Sequence, residues 1–180
     1  MMTSDQHIID KTKNWMTSFI VKLNICPFAK RELARNSIKY NIVHAKKRNQ
    51  ALESLLSELC FLDKTPSVET TLMLFPFLFK DFYQYLDFVD GAECHLNEHG
   101  YDGIYQLATF HPNYCFADTE FDDVSNFTNR SPYPMIHILR EESLEKAITN
   151  YGNTEDIPQR NIETLKNVGA ERIKQLLRED

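Results

Sequence analysis

The apolar residues Ile8, Ile9, Trp15, Phe19 and Leu23 recur at helical spacing, so residues 4–22 read as an amphipathic helix. Thr3 and Gln6 stand where a capping box would open it. In Asn24-Ile25-Cys26-Pro27-Phe28-Ala29 the proline ends that element and starts a short helix to about Ala34, because the first turn needs no amide hydrogen from it. Ile38, Tyr40 and Ile42 alternate with Lys39 and Asn41, the period of a half-buried strand. A leucine face at positions 52, 55, 56, 59 and 62 predicts the next helix, and the continuous apolar run from Thr70 to Phe75 predicts a strand covered on both sides.

Phe82, Tyr85, Leu86, Val89, Ala92 and Leu96 form another helical stripe, with Gly100 placed to end it in the left-handed conformation. Ile104–Phe110 and Met135–Leu139 read as third and fourth strands, and Ser143–Asn150 and Pro158–Leu177 as C-terminal helices punctuated by Gly152 and Gly169. Strands alternating with helices predict one α/β domain over residues 1–180. Its sheet has about four strands, mainly parallel or mixed, with flanking helices. A ferredoxin-like α+β sandwich is the competing arrangement, and the direction of the fourth strand stays open.

Composition narrows the function classes. An apolar content of 42% in 180 residues suffices for one core without disulfides. Cys26, Cys60, Cys94 and Cys115 are irregularly spaced, which fits a reducing cytoplasm. A net charge of −6, with no basic cluster beyond Lys46-Lys47-Arg48, argues against nucleic acid. Charges at Asp5, Asp10, Lys11 and Lys13 argue against a signal peptide, and no run approaches the ~18 apolar residues of a membrane span, so a soluble protein is expected.

The chemistry is expected in the aromatic, proline-rich segment from His111 to Pro134, read as an ordered loop because its aromatic rings are costly to leave in water. It follows the carboxyl end of the third strand, where parallel sheets bind ligands. His111 is therefore the candidate acid or base. Asn126, Asn129, Arg130 and Ser131 are candidate ligand-binding groups for an anionic small molecule, with Arg130 as a bidentate fork; alternatively, these residues brace the loop itself. His137 and Cys26 are further catalytic candidates. The first sits mid-strand where a core histidine is also expected, and the second precedes a helix start that favours thiolate. Arg140, at the end of the fourth strand, can bind ligand or face solvent. His95-Leu96-Asn97-Glu98-His99 has the pattern of inverted zinc peptidases but no evident third ligand; Glu69 and Glu163 are nominal choices.

Five stretches together resemble the domain-of-unknown-function family numbered 1415: Leu23 to Ala29, Glu69-Thr70-Thr71, Phe110 to Tyr114, Asn126 to Pro134, and His137 to Glu141. Ile157-Pro158-Gln159-Arg160-Asn161 suits the family's C-terminal pattern. The resemblance covers nearly the whole chain. It implies a compact, largely bacterial, cytoplasmic domain with no assigned activity or cofactor. Its polar signatures fall on Cys26, Glu69, His111, Asn129, Arg130, His137 and Arg140, and His95 and His99 lie outside them. Two readings compete: a site for an anionic small molecule built on His111 and Arg130, and a non-catalytic protein-binding module presenting the aromatic loop 111–134.

Overall fold

The computed structural model describes residues 4–178. Thr3 lies outside them. Ser4 is the N-cap of α1 (Asp5–Trp15), accepting the His7 amide hydrogen at 3.3 Å, while Gln6 donates to Asp10 rather than closing a capping box. The expected 4–22 helix changes form along its length. After Trp15 it widens into a π-helical segment, Met16–Val21. The Thr17 hydroxyl donates to the Lys13 and Asn14 carbonyls and that of Ser18 to Asn14, competing with the backbone for the acceptors a regular turn uses. Such wider turns recur at functional sites, because they displace side chains from the ordinary helical stripe.

The remaining elements are α2 (Ala29–Arg35), β1 (Ile38–Ile42), α3 (Arg48–Lys64), β2 (Thr70–Leu74), α4 (Phe82–Glu98), β3 (Tyr105–Phe110), a 3-10 helix (Val124–Asn129), β4 (Met135–Arg140), α5 (Glu141–Tyr151), α6 (Ile157–Val168) and α7 (Ala170–Arg178). Gly169, at φ +82°, divides the expected 158–177 helix into α6 and α7. The strand order is β1-β2-β4-β3. β1 and β2 are parallel, while β4 is inserted between β2 and β3 and runs antiparallel to both. The sheet is therefore mixed rather than mainly parallel, and β1, β2 and β3 share one direction.

Alternation along the strands sends side chains to two cores. Met73, Leu107, Ile136 and Ile138 pack against Leu55, Leu59, Phe88 and Ala92 of α3 and α4. Leu72, Leu74 and Met135 pack on the other face against Trp15, Phe19, Leu165 and Ile173. Helices on both faces make a three-layer α/β/α fold and rule out the ferredoxin-like sandwich, whose helices lie on one side. Among the described residues no helix is long and apolar enough to cross a membrane.

A buried carboxylate anchors the β1 edge to α3. Glu58, 3% exposed, accepts from the Thr71 hydroxyl at 2.8 Å, the Asn41 amide at 2.8 Å and the Lys39 ammonium at 2.7 Å. Lys39 in turn lies 3.5 Å from the centre of the Phe61 ring. The polar residues of β1 thus pair with a buried carboxylate while remaining partly open to solvent.

Candidate functional site

His111 and Arg130 do not share a cleft. His111 is fully enclosed between the rings of Phe82 and Tyr85. Its Nδ1 accepts the Asn113 amide hydrogen at 3.0 Å, so the ring proton sits on Nε2 and is donated to the Phe79 carbonyl at 2.8 Å. Phe79 has a φ of +59°, a conformation unfavourable for a side chain of that size, and His111 helps to hold it there. Burial holds the imidazole pKa below its ordinary value, in keeping with a neutral structural histidine.

Arg130 is equally committed. Its Nε donates to the Tyr114 carbonyl at 3.1 Å and a terminal nitrogen to the Phe121 carbonyl at 2.6 Å, with the guanidinium carbon 4.5 Å from the centres of Phe121 and Phe127. Asn126 accepts from the Phe116 amide and the Thr119 hydroxyl and donates to the Glu120 carbonyl. Ser131 donates to the Tyr133 carbonyl. These three residues hold the 111–134 loop in shape, as loop bracing requires. Arg140 is engaged at the other end of the sheet, donating to the Leu62 carbonyl in the last turn of α3, the Val68 carbonyl after it and the Tyr105 hydroxyl. Both arginines considered for an anion are spent on backbone carbonyls.

The other three candidates, Cys26, Asn129 and His137, line one cavity of about 560 Å³. Its floor is the sheet face around Leu72, His137 and Phe110, and its far walls are α1, the π-helical segment and α6. The braced loop supplies the remaining side through Phe116, Thr119, Ser125 and Thr128. Among the described residues, no Lys, Arg, Asp or Glu lines the cavity. The volume suits a small organic molecule, and walls that are mostly apolar with a few polar groups are the ordinary makeup of such sites.

His137 is only partly covered and finds no hydrogen-bond partner among the described residues. Burial in the apolar wall pushes its pKa down to about 4, so it is neutral at pH 7. An unfolded histidine binds its proton near pH 6.5. Between that value and about 4 the unfolded chain therefore holds the extra proton, and stability falls as the solution is acidified through this window. Urea unfolding at pH 7 and pH 4.5 should give a wild-type loss containing about 2 kcal/mol from His137, allowing for solvent that reaches the ring through the cavity. His137→Gln should remove that share and leave the smaller, same-signed contribution of His111. An equal acid loss in both proteins would clear His137 of any part in it.

Cys26 is half-buried. Burial raises the thiol pKa, and the Phe28 and Ala29 backbone amides pull the other way without reversing it, so the resting group is a thiol. Asn129 contributes surface rather than free hydrogen bonds, since its amide donates to the Thr109 carbonyl and its oxygen accepts from Thr128.

Two wall residues were not foreseen. Trp15, 4% exposed, and Asn161, 6% exposed, leave Nε1 and Oδ1 buried with no partner among the described residues. The Asn161 Nδ2 donates to the Ile25 carbonyl, next to Cys26, at 2.8 Å. A signal for Asn161 is present in the chain, because it interrupts the apolar stripe Ile157, Asn161, Leu165 at helical spacing. Nothing local marks the Trp15 nitrogen.

The other expected sites are accounted for differently. His95 and His99 direct Nδ1 to the Gly91 and His95 carbonyls, and their rings stack 5.9 Å apart. Among the described residues no three His, Cys, Asp or Glu side chains converge on a metal position, and neither Glu69 nor Glu163 joins the pair. In the aromatic loop Phe127 is buried and Tyr114, Phe116 and Tyr133 are partly covered, leaving Phe121, 53% exposed, as its outward ring.

No curated protein and no solved structure matches the chain. The family model described as "Protein of unknown function (DUF1415)" matches residues 7–175, nearly the full length, and the chain belongs to that family.

Proposed function

We propose that this protein binds a small, uncharged, mainly apolar molecule in the cavity between the sheet and α6, with His137 and Cys26 the two reactive side chains in contact with it. The observation that carries this reading is a neutral histidine at mid-strand, lining an open cavity and without a hydrogen-bond partner among the described residues. A core histidine is normally hydrogen-bonded, as His111 is. The π-helical segment, which contributes Met16 and Ile20 to the wall, supports the same assignment. An anionic ligand is disfavoured because Arg130 and Arg140 are already engaged and no cationic side chain among the described residues lines the cavity. Protein docking through the loop is disfavoured by the covering of most of its rings. Four free cysteines support a reducing cytoplasm as its location.

Ala29 lies on the cavity wall at the start of α2, so Ala29→Phe fills the space from an edge. Thermal unfolding should be followed with neutral aromatic and aliphatic compounds and with their matched carboxylates and phosphates. At 100 times the dissociation constant, a bound neutral compound adds about 2.7 kcal/mol, a rise in Tm of roughly 5–10 °C. The rise should vanish in Ala29→Phe while its far-UV spectrum stays native. Stabilisation by the anions alone, or a rise that persists in the filled variant, would remove the cavity from consideration.

A further inference from the structure

The two borders of the sheet are finished differently. Val43 donates to the Leu74 carbonyl and Ser37 accepts from Thr70, so the odd-numbered residues of β1 turn their amides and carbonyls toward β2. Ile38, Tyr40 and Ile42 turn theirs the opposite way, where no group among the described residues pairs with them. On β3 the Ile104 carbonyl accepts from Glu141, which sets the even-numbered residues toward β4 and the odd ones outward. That outward row is capped at both ends. The Tyr105 amide donates to the Tyr101 carbonyl, the Thr109 carbonyl accepts from the Asn129 side chain at 3.0 Å, and the His111 amide donates to the Asn129 carbonyl. β1 has no such caps, and a bare row of this kind is a template for another strand.

We propose that a second copy of this chain occupies the β1 border, its own β1 running antiparallel about a two-fold axis through Tyr40, so that two four-stranded sheets become one. In this register Tyr40 faces the partner's Tyr40, Ile38 faces the partner's Ile42, and every outward amide meets an outward carbonyl. The side chains match as well. Ile38, Tyr40 and Ile42 continue an apolar row on the α1 side, and on the α3 side Lys39 stands opposite the partner's Asn41. Asn41 is prepared for that contact: its Nδ2 donates to Glu58 at 2.8 Å, while Oδ1 has no partner among the described residues. A lysine on a border strand usually discourages pairing, but Glu58 at 2.7 Å neutralises Lys39 and leaves it further N–H donors for the partner's Asn41. Room for these side chains exists in a cleft of about 660 Å³ between β1 and α3, lined by Lys39, Asn41, Ser54 and Glu58. A five-residue strand makes a small interface, so the dimer dissociates on dilution.

Sedimentation equilibrium between roughly 5 µM and 1 mM should show the mass rising from 21.1 kDa toward twice that value. Hydrogen exchange followed by NMR at both ends of the range locates the contact. The amides of Ile38, Tyr40 and Ile42 should slow at least threefold at high concentration, whereas those of Lys39 and Asn41, already turned to β2, should hardly change. Ile42→Pro removes one outward amide where a border strand tolerates proline, and should raise the dissociation constant at least tenfold. Should that variant not fold, the alternating exchange pattern of the wild-type protein decides alone. A chain that stays monomeric through the whole range overturns the proposal and leaves the border to an extended segment of a different protein. A dimer whose Ile38, Tyr40 and Ile42 amides exchange as fast as in the monomer, or one that a folded Ile42→Pro variant forms equally well, overturns it too.

Discussion

Arg130→Ala is expected to lower stability by about 3–4 kcal/mol and to abolish ligand binding in the cavity. The guanidinium donates to two carbonyls seven residues apart, Tyr114 and Phe121, and lies between two phenyl rings. Two hydrogen bonds from a charged donor contribute about 1.5 kcal/mol each at the low end of their range, and the stacked rings add up to about 1 kcal/mol more. In a chain of 180 residues such a loss lowers Tm by roughly 10 °C. Binding suffers because the loop that Arg130 closes carries Phe116, Thr119 and Ser125, one side of the cavity. Arg130→Lys should recover less than half of the stability, since an ammonium cannot span both carbonyls or stack as a plane. Limited proteolysis should cut the alanine variant between residues 112 and 123 well before global unfolding. An alanine variant as stable and as resistant as wild type would show that the clamp holds nothing.

Glu58→Ala should cost about 3 kcal/mol for a different reason. Three donors converge on this carboxylate, and they are not equally free to find water once it is gone. Lys39, whose side chain is 31% exposed, can turn outward. The Thr71 hydroxyl is fully buried and is left unpaired, which supplies most of the penalty. Glu58→Gln keeps the shape and one acceptor oxygen and should cost about half as much. Replacing Glu58 by Met together with Thr71 by Val should be milder than Glu58→Ala, because it removes the acceptor and its most deeply buried donor at once. Chemical denaturation of the three variants tests the ordering. A Met–Val pair worse than alanine alone would place the penalty in packing rather than in the stranded hydroxyl.

Much of the architecture was legible because it repeats. Helical and strand periods located α3, α4, β1 and β2 closely, since each buries one side or both in a layered fold. The direction of β4 was not legible. The connection from β3 exceeds twenty residues, long enough for a crossover or for a wandering return, and the apolar pattern of a buried strand is the same in both directions. The π-helical segment was hidden because its buried residues Met16, Phe19 and Ile20 still fall near helical spacing. At the site, residue type pointed to Cys26 and His137 but gave no hint that distant segments would bring them to one cavity. Arg130 is a natural candidate for an anion because its planar fork matches a carboxylate, and Arg140 because it stands at a strand end, although loop bracing and solvent are the alternatives. Their actual partners are main-chain carbonyls, which every residue possesses and no pattern of side chains reveals.

The insertion of β4 between β2 and β3 bears on how the protein is made. A growing chain can join β1 to β2 through α3 alone, whereas β3 must wait for a neighbour encoded some twenty-five residues later. Until Met135–Arg140 leaves the ribosome, the open borders of β2 and β3 each present unmatched amides and carbonyls to whatever else is nearby. Sealing that gap is a non-local event and therefore a slow one, so the nascent protein passes through its most adhesive stage just before its final central strand arrives.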